Sequence, residues 1–153
     1  MLKLITENIF AKLLDEARRK ERQRSHFNVH DSFEDSVQKL FVAATSQTYF
    51  RPHRHPNKTE FALILKGQFE IVLFEEGGLI AERVLVGART DIHAFEIPQN
   101  TWHTWLVKSD DALFFEAKQG PYYPESAAEL APWSPAEGSP DVRKYLLTLS
   151  GIS

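Results

Sequence analysis

The sequence predicts a mainly β chain folded as an antiparallel sandwich or barrel, and three observations carry that reading. From position 47 to 118, seven short runs rich in β-branched and aromatic residues follow one another, at 48–51, 59–65, 69–74, 80–86, 94–97, 103–107 and 113–118. Turn chemistry separates several of them: Lys66-Gly67-Gln68, Glu75-Glu76-Gly77-Gly78 and Lys108-Ser109-Asp110-Asp111. No ten-residue helical pattern interrupts the series, which argues against a parallel α/β sheet.

The flanking segments read differently. Ile9, Phe10, Leu13, Leu14 and Ala17 recur at helical spacing after Thr6, a suitable N-cap. The cluster Arg18, Arg19, Lys20, Arg22 and Arg24 then either steadies the negative end of that helix or lines an entrance for a phosphorylated ligand. Ser25 to His30 alternates so that a strand would place His26, Asn28 and His30 on one face. Val37, Leu40, Phe41 and Ala44 fall at i, i+3, i+4 and i+7 and predict a second short helix. After Gly120, five of the eight prolines crowd into 121–140, so this part should wrap the surface irregularly before a closing helix over 142–149. All of this is read as one domain: an extension over 1–46, a β core over 47–119, and a Pro-rich wrap with its helix over 120–153.

Composition narrows the function. With 153 residues, the chain is long enough to bury a core without staples. A net charge of -3 gives no overall field for nucleic acid or an anionic membrane. Cysteine is absent, which removes disulfides, thiolate metal sites and a thiol nucleophile and suits a reducing compartment. The first ten residues lack the pattern of a signal peptide, and no apolar run approaches a bilayer span; a soluble, cytoplasmic protein is expected. No serine-nucleophile motif, phosphate-binding glycine loop or nucleic-acid motif is present, so hydrolase, kinase and DNA-binding readings drop out.

The chemistry gathers around four residues. His53 and His55, two apart on a strand, leave one face with their backbones about 7 Å apart, close enough for both rings to reach one ion. Glu60 follows five residues later; strand parity alone would send it to the opposite face, so the Pro56-Asn57 break must shift the register. His103 arrives from a distant run, after the turn residues Pro98 and Asn100. Three imidazoles and one carboxylate suit one borderline divalent ion, Zn, Fe, Mn or Ni, and leave about two positions of an octahedron open.

The spacing His53-x-His55-x4-Glu60-x6-Gly67 resembles the first cupin motif, and Pro98-x-Asn100-x2-His103 resembles the second. More closely, the chain is similar to the WbuC-type cupin-fold metalloproteins found among surface-polysaccharide (O-antigen) biosynthesis proteins. The stretches that carry this are Phe27-Asn28-Val29-His30, Val37-Gln38-Lys39-Leu40, Tyr49-Phe50-Arg51-Pro52-His53-Arg54-His55, Glu96-Ile97-Pro98 with Thr101-Trp102-His103, Lys118-Gln119-Gly120-Pro121-Tyr122 and Ala131-Pro132-Trp133-Ser134-Pro135. The resemblance implies a single cupin domain, a double-stranded β-helix or jelly-roll barrel, with N-terminal helices and a short C-terminal helix, and a homodimer. The general cupin pattern would place glycine at Gln47, Ile92 and Asn100 and asparagine at Val107; asparagine tolerates positive φ, so Asn100 leaves its turn intact.

Around the metal quartet, Glu60, His30 and Lys118 are the proton-handling candidates, and Asn28, Tyr49, Arg51 and Tyr122 the candidate substrate contacts. Arg51 shares the parity of His53 and is expected to point inward, Arg54 outward. Trp102, Trp105 and Trp133 are read as wall and core, and His93 as structural. Three functions fit: a metal-dependent isomerase or epimerase of sugar or surface-polysaccharide metabolism acting on a sugar or sugar phosphate, a non-haem iron dioxygenase, and a metal-dependent module that binds or senses a small carbohydrate without turnover.

Overall fold

The computed structural model describes residues 1–151 and is built from two five-stranded antiparallel sheets. In chain order the elements are α1 (Glu7–Arg19), β1 (Arg24–Asn28), β2 (Val37–Thr45), β3 (His53–Arg54), β4 (Glu60–Lys66), β5 (Gln68–Phe74), β6 (Ile80–Gly87), β7 (Ala94–Ile97), β8 (Trp102–Val107), β9 (Asp111–Gln119), β10 (Glu129–Leu130) and α2 (Val142–Leu149). One sheet runs β1-β2-β9-β4-β7 and the other β10-β3-β8-β5-β6. This is the cupin jelly roll, with the inner faces of both sheets packed into a core of Val42, Ile64, Phe69, Ile71, Val86, Ile97, Trp105 and Phe114. Trp105 and Phe114 stack across the two sheets with ring centroids 4.3 Å apart.

Two local expectations are corrected. The segment Val37–Thr45 is a strand, not a second N-terminal helix. Its apolar residues belong to both faces: Val42 joins the inter-sheet core with Leu40 against it, while Ala43 and Phe41 pack under Leu13, Leu14 and Ala17 of α1. A strand covered on both sides reads as a continuous apolar run, and such a run contains helical spacings by coincidence. The run at 48–51 is not a strand either, because its backbone acceptors are taken by side chains. Arg24 donates to Tyr49 O at 2.9 Å, Thr104 Oγ1 to Phe50 O, and His53 Nδ1 to Arg51 O at 2.8 Å. The two-residue β3 immediately afterwards carries the pairing instead.

The turns follow the sequence reading. Asn100 has φ 59° and its N–H donates to His55 O at 2.7 Å, which ties the turn before β8 to the end of the histidine segment. Gly67 joins β4 to β5 at φ +76°, and a Cβ there would lie 2.5 Å from Asp111 O and from Ser109 Oγ. Gly67→Ala is therefore expected to cost about 1–3 kcal/mol through strain and overlap with backbone. A urea midpoint unchanged from wild type would contradict this.

Candidate metal centre

Two strands of one sheet and one of the other meet at the site. His53 on β3 stands directly opposite His103 on β8 in the antiparallel register, and their rings lie 4.4 Å apart between centroids. Glu60 opens β4 in the facing sheet. The chain breaks at Pro56-Asn57 between β3 and β4, which supplies the register shift that strand parity demanded. His55 Nε2 consequently lies 2.9 Å from Glu60 Oε2. One potential ligand atom from each of His53, His55, Glu60 and His103 falls within 4.8 Å of the other three.

The histidines are held in one tautomer. His53 Nδ1 donates to Arg51 O at 2.8 Å, His55 Nδ1 to Ala127 O at 2.7 Å, and His103 Nδ1 to Thr101 O at 2.8 Å. Each anchored N–H leaves Nε2 as the lone-pair nitrogen, the second-sphere arrangement that orients imidazoles toward a metal. Nε2 of His55 and of His103 are buried without an aligned hydrogen-bond partner, although His55 Nε2 touches Glu60. Buried polar atoms are seldom left so, and three neutral nitrogens beside a carboxylate fit a divalent ion of the zinc, iron, manganese or nickel group.

Burial, reinforced by the neighbouring His103, pushes the His53 imidazole down to about 3, and burial also lowers His103. Metal-free protein at pH 5 should therefore show His53 neutral and Nδ1-protonated by nitrogen NMR; an imidazolium spectrum at that pH would contradict the geometry.

The quartet opens on a cavity of about 520 Å³ through His53, His55 and Glu60. His103 is fully buried. Of the other sequence candidates, Asn28, His30, Lys118 and Tyr122 line this cavity. His30 Nδ1 lies against the Lys39 backbone, 2.9 Å from its carbonyl oxygen and 3.0 Å from its nitrogen, which fixes the ring at the edge of the cavity.

Tyr49 and Arg51 are elsewhere. The Tyr49 hydroxyl donates to Pro135 O at 2.9 Å, and Arg51 donates to Ser134 Oγ, Ala131 O and Ser134 O at 3.1–3.2 Å. Both clamp the Pro-rich segment onto the sheets, because strand parity fails in the irregular stretch that precedes β3. Arg54 points outward as expected, over the Trp102 ring at 4.2 Å and paired with Glu76 and Glu129. Trp102 packs against Trp133, and Trp105 forms part of the cavity wall.

Glu116 was missed. It sits on β9 opposite Leu40 on one side and Ala62 on the other, faces the cavity, and accepts from Lys118 Nζ at 3.1 Å. Burial and the neighbouring Glu60 carboxylate push its carboxyl up to about 7. Burial would raise Glu60 as well, but His55, Lys118 and His103 around it hold it well below the usual carboxylate range. Burial would lower Lys118, and Glu116 and Glu60 outweigh it, keeping the ammonium above its ordinary value. The signal that could have found Glu116 was its two-residue spacing from Lys118 on one strand.

The chain belongs to the family described as a domain of unknown function, DUF6016, whose model matches residues 5–86. Solved structures place it among cupin-fold proteins. KdgF from Halomonas sp. matches with a TM-score of 0.50 at 20% identity, over 67% of this chain and 83% of that one. An oxalate oxidase in complex with the substrate analogue glycolate matches with a TM-score of 0.56 at 15% identity, over 88% and 68%. The capsular polysaccharide assembling protein CapF from Staphylococcus aureus matches with a TM-score of 0.60 at 17% identity, over 72% of this chain and 32% of that one, so the chain spans about a third of CapF. At these identities the likeness is one of fold. No curated protein matches the sequence. No helix among the described residues is long and apolar enough to cross a membrane.

Proposed function

We propose that the protein is a metal-dependent cupin enzyme that moves protons on a small oxygen-rich substrate, an isomerase or epimerase of sugar or surface-polysaccharide metabolism akin to the WbuC-type proteins. One observation carries the reading: three imidazoles, each turned by an Nδ1 anchor to offer Nε2, meet Glu60 beside a cavity that also holds Lys118 and Glu116. His53, His55, Glu60 and His103 would hold one divalent ion, which when bound supplies a Lewis acid for a carbonyl or hydroxyl oxygen. Glu60 is committed to that cluster by its contact with His55. Lys118 and Glu116 are then the pair placed to hold and pass a proton, with His30 and Asn28 facing the same cavity from the β1 side. Trp105, Phe114 and Phe50 keep the neighbouring wall apolar and limit water at the reacting end.

The polysaccharide setting rests on the resemblance of the sequence stretches, and a capsular polysaccharide assembling protein is among the structural neighbours. A homodimer joined through the edge strands β6 or β7 belongs to the same reading.

The test is solvent exchange. Metal-loaded protein incubated with aldoses, ketoses and their phosphates in D2O should place deuterium at a carbon next to a carbonyl, and Lys118→Met should slow this by about 10²–10⁴-fold. Oxygen uptake dependent on Fe(II), without exchange, would point to a dioxygenase instead. Tight binding with neither would leave a carbohydrate-binding module.

A further inference from the structure

The segment that carries two of the four ligands has little ladder of its own. β3 is two residues long and meets β8 in the single pair His53–His103, with the Asn100 N–H on His55 O just beyond it. Strands are ordinarily longer than this, and ligands on so short a ladder must be held from elsewhere.

The Pro-rich wrap holds them from the other side. Leu130 stands opposite His53 and Glu129 opposite Arg54, and the Ala131 N–H donates to Pro52 O at 2.9 Å. Ala127 O takes the Nδ1 proton of His55 at 2.7 Å. Arg51 grips the same wrap through Ala131 O and Ser134 Oγ, while its own carbonyl accepts from His53 Nδ1. The orientation of two imidazoles thus depends on a stretch that contributes no ligand.

Arg54 ties that stretch down. It lies between the two histidines in sequence, and alternation along β3 turns it to the outer face. Its Nε and Nη2 donate to Glu129 Oε2 at 2.8 Å and Oε1 at 3.1 Å, a two-pronged grip on one carboxylate, while Nη1 donates to Glu76 Oε1 at 2.6 Å. The guanidinium lies 4.2 Å over the ring of Trp102, which precedes His103 on β8 and packs against Trp133 of the wrap. Most surface ion pairs contribute little, but this arginine side chain is 17% exposed, stacked and bidentate, the geometry in which such a pair holds position.

We infer that Arg54 is a positioning residue of the metal centre: its fork to Glu129 fixes the wrap against β3 and, through Ala127 O, sets the His55 imidazole with Nε2 toward the ion. The inference rests on the quartet being a metal site, yet part of its test needs no metal. Charge and position predict opposite signs. A positive charge near a cation site opposes metal binding, so removing it would tighten binding if charge alone mattered. Positioning requires the reverse.

The experiment is titration of the protein with zinc against a competing chelator. Arg54→Gln should weaken zinc binding about tenfold, the lower end of the effect of an outer-sphere partner. Glu129→Gln should do the same, and the double variant should lose no more than either alone, because both break one link. Glu76→Gln removes an equal charge but leaves the wrap tied, so it should change affinity less than about twofold. In metal-free protein, the His55 Nδ1 proton should exchange with solvent about tenfold faster in Arg54→Gln, followed by nitrogen NMR. The His103 Nδ1 proton, held by Thr101 O away from the wrap, should keep its wild-type rate, which a generally loosened variant would not show. If wild type took up no zinc, the metal reading would fail, and the exchange rates would still decide whether Arg54 holds His55. Zinc affinity kept or raised in Arg54→Gln, an equal loss in Glu76→Gln, or unaltered exchange at His55 would overturn the inference.

Discussion

Replacing His103 with alanine is expected to reduce affinity for a divalent ion by more than about a hundredfold, since loss of an outer-sphere partner alone costs 10–100-fold and His103 would be a direct ligand. The residue is fully buried on β8, directly opposite His53, with Nε2 free of any other aligned partner. Metal should raise the melting temperature of wild type, because an ion that binds only the folded chain stabilises it by about 3 kcal/mol at a hundredfold excess over Kd. The variant should lose that response. His55→Ala, which removes a ligand from the loop after β3 rather than from the centre of a sheet, should behave alike. Undiminished metal affinity in either variant, measured by calorimetry, would remove the quartet from the account.

The second large effect concerns the buried charges beside the quartet. Lys118 lies against Glu116 and is drawn upward by Glu60, with little of the three side chains exposed. Lys118→Met strands two carboxylates without their cation and should destabilise metal-free protein by about 3–5 kcal/mol at pH 8. Glu116→Gln should do the reverse, in a pH-dependent way. Glu116 titrates at about 7 in the folded chain against an ordinary 4.5, so between those values the folded state holds a proton that the unfolded state has released. Its contribution to stability is intact below pH 4.5 and falls as pH rises through 7, by ~3 kcal/mol at most. His53 acts oppositely: its folded value near 3 lies below the ordinary 6.5, so its contribution grows as pH rises through that window. That effect is common to both proteins and cancels in their difference. Urea denaturation in a chelator should therefore show Glu116→Gln gaining on wild type from pH 4.5 to 7. Parallel curves would contradict the burial of an ionisable Glu116.

The metal quartet was legible in the sequence because ligand spacing is a local property: two histidines on one strand, a carboxylate past a proline break, and a third histidine after a turn. So were α1 and α2, whose apolar stripes are complete within a few residues. The strand Val37–Thr45 was not, because α1 covers its outer face and so removes the alternation by which a half-exposed strand is known. Tyr49 and Arg51 were misplaced for a related reason. Parity predicts facing only where a ladder exists, and the backbone before β3 is held by side-chain hydrogen bonds. Glu116 escaped notice because its environment is assembled by register: β9 brings it beside residues of β2 and β4 that are more than fifty positions away.

The most direct test of the metal centre is elemental analysis of natively purified protein combined with X-ray absorption at the edge of whichever metal is found. One ion per chain, with three imidazole nitrogens and a carboxylate oxygen in its first shell, is the predicted result. Protein that neither carries a divalent metal nor takes one up at one equivalent, or a first shell without three imidazoles, would contradict it.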